Sequence, residues 1–249
     1  MTKWPLRRAP GPWHLAPETV YLYRLRLQAS EETISRRFST LSTDEQARAE
    51  RFKVVSKRAE FVTVRSALRR VLAAHLSHEP DTLVFDTAPH GKPYLREPHA
   101  QLKFNVSHSH GLALLAVALE LELGIDVEQH RAKVDHIRVA RRFFSCPERT
   151  ALQNLPSHDQ SAGFFRCWAR KEAVIKANGR GIALGLEKFD VSLHPTEPAR
   201  LLATRWDPPE AQRWSLHGLD PGPGYSGAVA VARPAGGRDV RFEQWSIET

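Results

Sequence analysis

The most informative pattern in the chain is a short alternation. Leu123, Ile125 and Val127 interleave with Gly124, Asp126 and Glu128, and a period of two predicts a strand with apolar side chains on one face and both carboxylates on the other. The carboxylate-bearing Cα atoms then lie about 6.5 to 7 Å apart, within reach of one hard cation. Read structurally, the same residues are a solvent-facing Asp and Glu on a half-exposed strand. The run Leu112 to Leu119 is apolar throughout, as suits a strand buried on both faces, and Glu120 to Glu122 reads as a polar break turning a hairpin between the two.

The rest of the chain resolves by the same criteria. Residues 1 to 17 carry Pro5, Pro10, Pro12 and Pro17 with Trp4 and Trp13, an irregular strap pinned by its tryptophans. Val20 to Leu27 predicts a first strand, and Ser42, Thr43 and Asp44 cap a helix running through Gln46, Arg48 and Arg51. A longer helix is expected over Lys57 to Leu76, where Phe61, Val64, Leu68, Val71 and Leu72 form a stripe that also contains Arg65. Leu83 to Phe85 reads as a short strand, and His90 to Tyr94 as a turn in which Pro93 stops pairing. Asn105 to Gly111 (NVSHSHG) reads as a polar strand start or loop able to hydrogen-bond a ligand.

Downstream, Ser145 and Glu148 form a capping box after Arg141 to Phe144. From Gln160 to Ala177 a helix carries Phe164, Cys167, Trp168 and Ile175 at the centre of its apolar arc, with Phe165 at the edge. Two charges interrupt that arc. Glu172 projects between Trp168 and Phe165, and Lys171 between Phe164 and Cys167; a desolvated carboxylate there needs a cation. Pairing of Glu172 with Lys176 at i, i+4 is the structural alternative, worth about 0.2 to 0.5 kcal/mol. Strands are expected over Arg200 to Trp206, Arg213 to His217, Tyr225 to Ala232 and Val240 to Trp245.

Composition narrows the function. With 249 residues, 41% of them hydrophobic, the chain can bury a large core. A formal net charge of +8, from 36 Lys and Arg against 28 Asp and Glu, predicts attraction for polyanions. Cys146 and Cys167 make neither a disulfide framework nor a metal-ligand spacing, and both read as packed thiols in a reducing compartment. No stretch approaches a membrane span and the N-terminus lacks a signal-peptide core, so a cytoplasmic protein with no membrane partner is expected.

Four strings in order, Asn105 to Ser109 (NVSHS), Gly124 to Glu128 (GIDVE), Arg142 to Glu148 (RFFSCPE) and Trp168 to Lys176 (WARKEAVIK), resemble the surfactin-type 4′-phosphopantetheinyl transferases. Gly91 to Pro93 (GKP) and Pro223 to Tyr225 (PGY) fit as well, and the likeness extends from about Leu41 to Ala232. It implies an α+β fold of two similar halves, 18–121 and 122–249, forming a pseudo-dimer. Each half would be a small, mainly antiparallel sheet packed with helices, with the seam near Glu120 to Leu123 and coenzyme A in the cleft.

The implied reaction transfers 4′-phosphopantetheine from coenzyme A to a serine of an acidic acyl or peptidyl carrier protein, releasing adenosine 3′,5′-bisphosphate. By matching position, Asp126, Glu128 and Glu172 would bind Mg2+, with Mn2+ a possible substitute. Glu172 would be the general base, directly or through a metal-bound water. Lys176 and His108 would hold the diphosphate, and Ser107 with Lys57 or Arg58 the 3′-phosphate. Gly91, Lys92 and Pro93 would line the adenine side, with Asn105 also touching coenzyme A and Lys171 near the phosphates. The enzyme is expected to act as a monomer. Two other classes compete. A nucleic-acid-binding protein would explain the basic charge but gives the acids no role, and another Mg2+-dependent, nucleotide-using transferase would explain the acids but has no P-loop or kinase signature here.

Overall fold

The computed structural model describes residues 4, 6–7, 15–234 and 239–247. Along the chain come β1 (Leu6–Arg7), β2 (Thr19–Arg26), α1 (Glu31–Phe38), α2 (Thr43–Glu50), α3 (Val55–Leu76), β3 (Phe85–Thr87), β4 (Pro93–Leu95), β5 (Leu102–Ser109), β6 (Leu112–Leu119) and β7 (Leu123–Gln129). Then follow α4 (His136–Phe143), α5 (Cys146–Gln153), α6 (Ser157–Asn178), β8 (Phe189–Val191), β9 (Leu201–Thr204), α7 (Glu210–Arg213), β10 (Trp214–Leu219), β11 (Tyr225–Ala232) and β12 (Arg241–Ile247). The fold is mixed α+β, with one sheet ordered β1-β12-β2-β6-β5, another ordered β10-β11-β7, and two small two-stranded sheets.

Alternation along the strands sets the layering. On β2, Tyr21 and Tyr23 pack with Leu115, Val117 and the stripe Leu68, Val71 and Leu72 of α3, while Val20 and Leu22 point the other way, onto Leu123, Ile125 and Val127 of β7. The reverse face of the β7 and β11 pair, through Ala228 and Ala230, meets Phe164, Ala173 and Ala177 of α6. The result is helix, sheet, sheet, helix. Both outer helices, α3 and α6, are 22 residues long.

The expected hairpin between Leu112 to Leu119 and Leu123 to Val127 does not form. β6 pairs with β2 and β5, whereas β7 pairs with β11, so the chain changes sheet across Glu120 to Glu122, with Glu120 at φ 59°. The turn lies one strand earlier, where His110 (φ 44°) and Gly111 (φ 86°) join β5 to β6; two successive positive φ values are the backbone of a tight hairpin turn. The last strand also departs from the expected division at 121, because β12 runs parallel to β2 in the first sheet.

Further differences are local. Asn105 to Ser109, expected at a strand start or in a loop, forms the later part of β5. Pro93 begins β4, pairing with Thr87, instead of ending a strand. Cys167 is buried as expected, but Cys146 is exposed. Trp4 is pinned, its indole N–H donating to the Asp220 carbonyl at 2.6 Å; Trp13, Pro5, Pro10 and Pro12 lie outside the described residues. Among the described residues no helix is long and apolar enough to cross a membrane.

Candidate active site

The face of β7 that carries Asp126 is covered by α6, and Gly124 is the reason it can be. A Cβ at Gly124 would lie 2.3 Å from the Ala173 carbonyl oxygen and 2.2 Å from the Ala177 nitrogen. Only a residue without a side chain admits a helix backbone that close. Ala173 and Ala177 therefore rest on Gly124, and their neighbours Glu172 and Lys176, four apart on one helical face, come down beside Asp126 and Glu128. Asp126 is only 3% exposed, which overturns the reading of a solvent-facing acid.

The opposite edge of β7 meets β5 through side chains. Asn105 Oδ1 accepts from the Ile125 N–H at 2.9 Å, Ser107 Oγ from Val127 at 3.4 Å and Ser109 Oγ from Gln129 at 3.2 Å. Alternate residues of β5 share a face, so the polar string is a side-chain ladder joining the two sheets. The same hydroxyls reach the acids: Ser107 donates to Asp126 Oδ1 at 2.8 Å, and Ser109 to Glu128 Oε2 at 3.2 Å.

Lys176 completes the cluster. Its Nζ donates to Asp126 Oδ1 at 2.6 Å and to Ser107 Oγ at 3.0 Å, so the i, i+4 pairing with Glu172 is not formed. Asp126 Oδ2 is buried without a hydrogen-bond partner. Burial, with Asp126 beside it, raises the pKa of Glu172 despite Lys176. Glu128 is raised for the same two reasons, against Ser109, Arg131 and Lys176. Among the described residues no three His, Cys, Asp or Glu groups form a ready-made metal cage; the three acids share a field without closing around a point.

The facing wall comes from the first sheet and α3. His108 points away from the ladder, toward Lys57 and Glu60. The protein around it pushes the imidazole below its ordinary value, with Lys57 and Lys176 acting the same way and Glu60 against them. Lys57 pairs with Glu60 at 2.7 Å, whereas Arg58 turns aside and lies over the Phe38 ring at 5.4 Å. Gly91, Lys92 and Pro93 line a separate recess with Asn105 and Lys176. Gly91 takes φ 87° there, and Lys92 Nζ ties the recess to the sheet change through the Leu123 carbonyl at 3.0 Å and Glu122 at 3.2 Å.

Three basic residues of α3 and α6 are consumed internally. Arg65 pairs with Glu45 and lies 4.2 Å from the centre of the Phe85 ring, and Arg69 binds the other Glu45 oxygen at 2.5 Å. Lys171, expected near the phosphates, is in the core: its Nζ donates to Glu148 Oε2 at 2.8 Å and to the Leu186 and Phe189 carbonyls, both at 2.7 Å. Glu148 is thus more than a cap, since it also accepts from the Val191 N–H at 2.8 Å. Sequence reasoning passed over Ser109 and the role of Gly124; a glycine inside an apolar strand was the available signal for the latter.

Known proteins match this chain across both halves. A family model described as "4'-phosphopantetheinyl transferase, N-terminal" matches residues 26–120, and that of the "4'-phosphopantetheinyl transferase superfamily" matches 122–231. The 4′-phosphopantetheinyl transferase HetI of Nostoc sp. is 41% identical over 220 residues, covering 88% of this chain and 90% of the relative. The transferase psf-1 of Bacillus pumilus is 34% identical over 208 residues, covering 81% and 83%. Sfp of Bacillus subtilis is 28% identical over 213 residues, covering 85% and 91%. The chain belongs to the 4′-phosphopantetheinyl transferase superfamily and is a phosphopantetheinyl-transferring enzyme.

Proposed function

We propose that the enzyme transfers 4′-phosphopantetheine from coenzyme A to a serine of an apo carrier protein in a Mg2+-dependent reaction, releasing adenosine 3′,5′-bisphosphate. The observation that carries this reading is Asp126 Oδ2, a carboxylate oxygen buried without a partner beside two acids whose pKa values are raised. Lys176 and Ser107 answer only Oδ1; a buried oxygen left without a partner is costly, and a divalent cation would give Oδ2 one while offsetting the mutual repulsion of the three acids. Magnesium is held in phosphate-handling sites by one or two carboxylates together with substrate oxygens, seldom by an all-protein cage. Asp126, Glu128 and Glu172 fit that partial ligand set. When bound, the ion would neutralise the diphosphate and polarise its phosphorus.

The chain's own groups divide the remaining work. Glu172, half-buried and of raised pKa, is suited to take the proton of the serine hydroxyl as its oxygen attacks the β-phosphorus and the bond to the α-phosphate oxygen breaks. Lys176 stands within hydrogen-bonding distance of Asp126 and Ser107, so its ammonium is placed to follow the departing bisphosphate charge. His108 and Lys57 would hold phosphate on the facing wall. Lys57 is the better candidate for the 3′-phosphate, because Arg58 is turned onto Phe38. Gly91, Lys92, Pro93 and Asn105 would form the adenine recess.

Both walls of the cleft come from one chain, consistent with a monomer, and the reaction with a carrier protein is consistent with a cytoplasmic enzyme. The test is to incubate the protein with coenzyme A, Mg2+ and apo carriers from fatty-acid, polyketide and peptide assembly, then weigh each carrier. A phosphopantetheine adduct on at least one is expected, lost on omitting Mg2+ and in Asp126→Ala and Glu172→Ala. Carriers that stay unmodified throughout would overturn the reading; full turnover in either variant would overturn the residue assignments.

A further inference from the structure

A second cleft lies away from the acids, between the other side of α6, the segment before β9, and β10. Its floor is Arg170, 5% exposed. Nη1 donates to the Ser192 carbonyl at 2.6 Å and to its hydroxyl at 3.1 Å, but Nε is buried with no partner. Nη2 is 3.6 Å from where a Cβ on Gly218 would stand, and Gly218 itself lines the cleft. No carboxylate forms an ion pair with Arg170 among the described residues. A guanidinium so desolvated, held only by neutral acceptors, is costly until an anion joins it. Burial, with Arg166 nearby, accordingly pushes it down to about 10.

The rim supplies more positive charge than the protein neutralises. Arg200 and Arg233 both line the cleft with Arg170, and Glu197 is the one carboxylate among the same lining residues, so three guanidinium charges against one leave a surplus of two. His217, also at the cleft, is pushed below its ordinary pKa by burial and by Arg233, against Asp239. Forked guanidinium donors around a surplus of two match a tetrahedral dianion better than a single carboxylate. Trp214 and Leu201 give the same cleft apolar walls.

We propose that this cleft is a second, non-catalytic binding site for a phosphate dianion, free or as a monoester, with Arg170 beneath it and Arg200 and Arg233 as its outer clamp. It is separate from the cleft of Asp126 and Lys176 and shares no lining residue with the recesses described above.

The test uses the full chain saturated with coenzyme A, so that the catalytic cleft is filled, titrated calorimetrically with inorganic phosphate and, separately, with phenyl phosphate. One saturable phosphate site is expected to persist, weakened at least tenfold in Arg200→Gln/Arg233→Gln, while phosphopantetheine transfer by that double variant stays at the wild-type rate. Tighter binding of phenyl phosphate identifies a monoester as the ligand type, and equal or weaker binding identifies the free ion; either supports the site. Absence of a saturable site once coenzyme A is bound, or an unchanged affinity in the double variant, would overturn it.

Discussion

Lys171 and Lys176 sit five residues apart on α6 and have opposite surroundings. The three N–H donors of Lys171 meet a carboxylate and two carbonyls, and its partner Glu148 also takes the Ser145 and Val191 N–H groups. Every strong group in that network is answered from within the fold, as a stable buried polar network requires. Lys176 faces a cluster left open: one oxygen of Asp126 has no partner, and Glu172 and Glu128 are strained toward protonation. The same helix thus carries a finished interaction on one side and an unfinished one on the other. Lys171 and Glu172 both interrupt an apolar arc, so interruption alone does not single out a site; what separates them is that only the surroundings of Glu172 are left incomplete.

The largest effect expected from breaking this contrast is at the finished side. Lys171→Met leaves Glu148 buried with its charge unanswered, and the loss of one partner of a buried pair costs about 3 to 5 kcal/mol. Urea unfolding should show a loss of that order, while transfer activity measured well below the midpoint survives. A loss below about 1 kcal/mol would mean that the network is not closed as described.

The histidines divide in the same way. His75, on α3, is buried against the Tyr23 hydroxyl at 2.8 Å and is pushed from 6.5 to about 4, while His108 faces the cleft. Because the folded protein holds His75 neutral, the unfolded chain binds its proton first as pH falls. Stability contributed by the neutral form is complete above pH 6.5 and is lost progressively down to about pH 4. At 1.36 kcal/mol per unit the full effect is about 3 kcal/mol. Replacing His75 with Gln should remove about one proton from the pH dependence of unfolding over that window, whereas His108→Gln should move it less.

The open side is next. If Lys57 holds the 3′-phosphate, Lys57→Gln should raise the KM for coenzyme A about tenfold, equivalent to about 1.4 kcal/mol. Arg58→Gln, whose guanidinium is turned onto Phe38, should stay within about twofold. Equal effects from the two would show that the helix start acts as a diffuse field instead of a contact.

How far these contrasts were readable beforehand follows from their physics. The alternation at Leu123 to Glu128 and the stripes of α3 and α6 were legible because burial is periodic along regular backbone. The cluster of Asp126, Glu172 and Lys176 was legible from motif strings and from a carboxylate set into an apolar arc. The ladder of Asn105, Ser107 and Ser109 was not, since side chains satisfying another strand's amides look like loop polarity in one dimension. Nor was the change of sheet after β6: a polar break between two apolar runs suits a hairpin and a crossover equally well. Lys171 was misplaced because its partner Glu148 already had a sufficient local explanation as a cap.

The smallest effect is the most diagnostic of an open site. Glu172 has a folded pKa raised above its ordinary 4.5 by burial and by Asp126, with Lys176 opposing. As pH rises the unfolded chain therefore ionises first, and the folded state loses stability through the folded pKa. Glu172→Gln carries no such penalty. In metal-free protein held in EDTA, its Tm should exceed that of the wild type at pH 8, with the difference shrinking toward zero at pH 4, where both carboxyl forms are largely protonated. The same substitution should abolish transfer, giving a variant that is more stable and inactive, as expected where a site is held in a costly arrangement for function. A Tm at or below wild type at both pH values would instead place Glu172 with Lys171, among the groups whose surroundings already answer them.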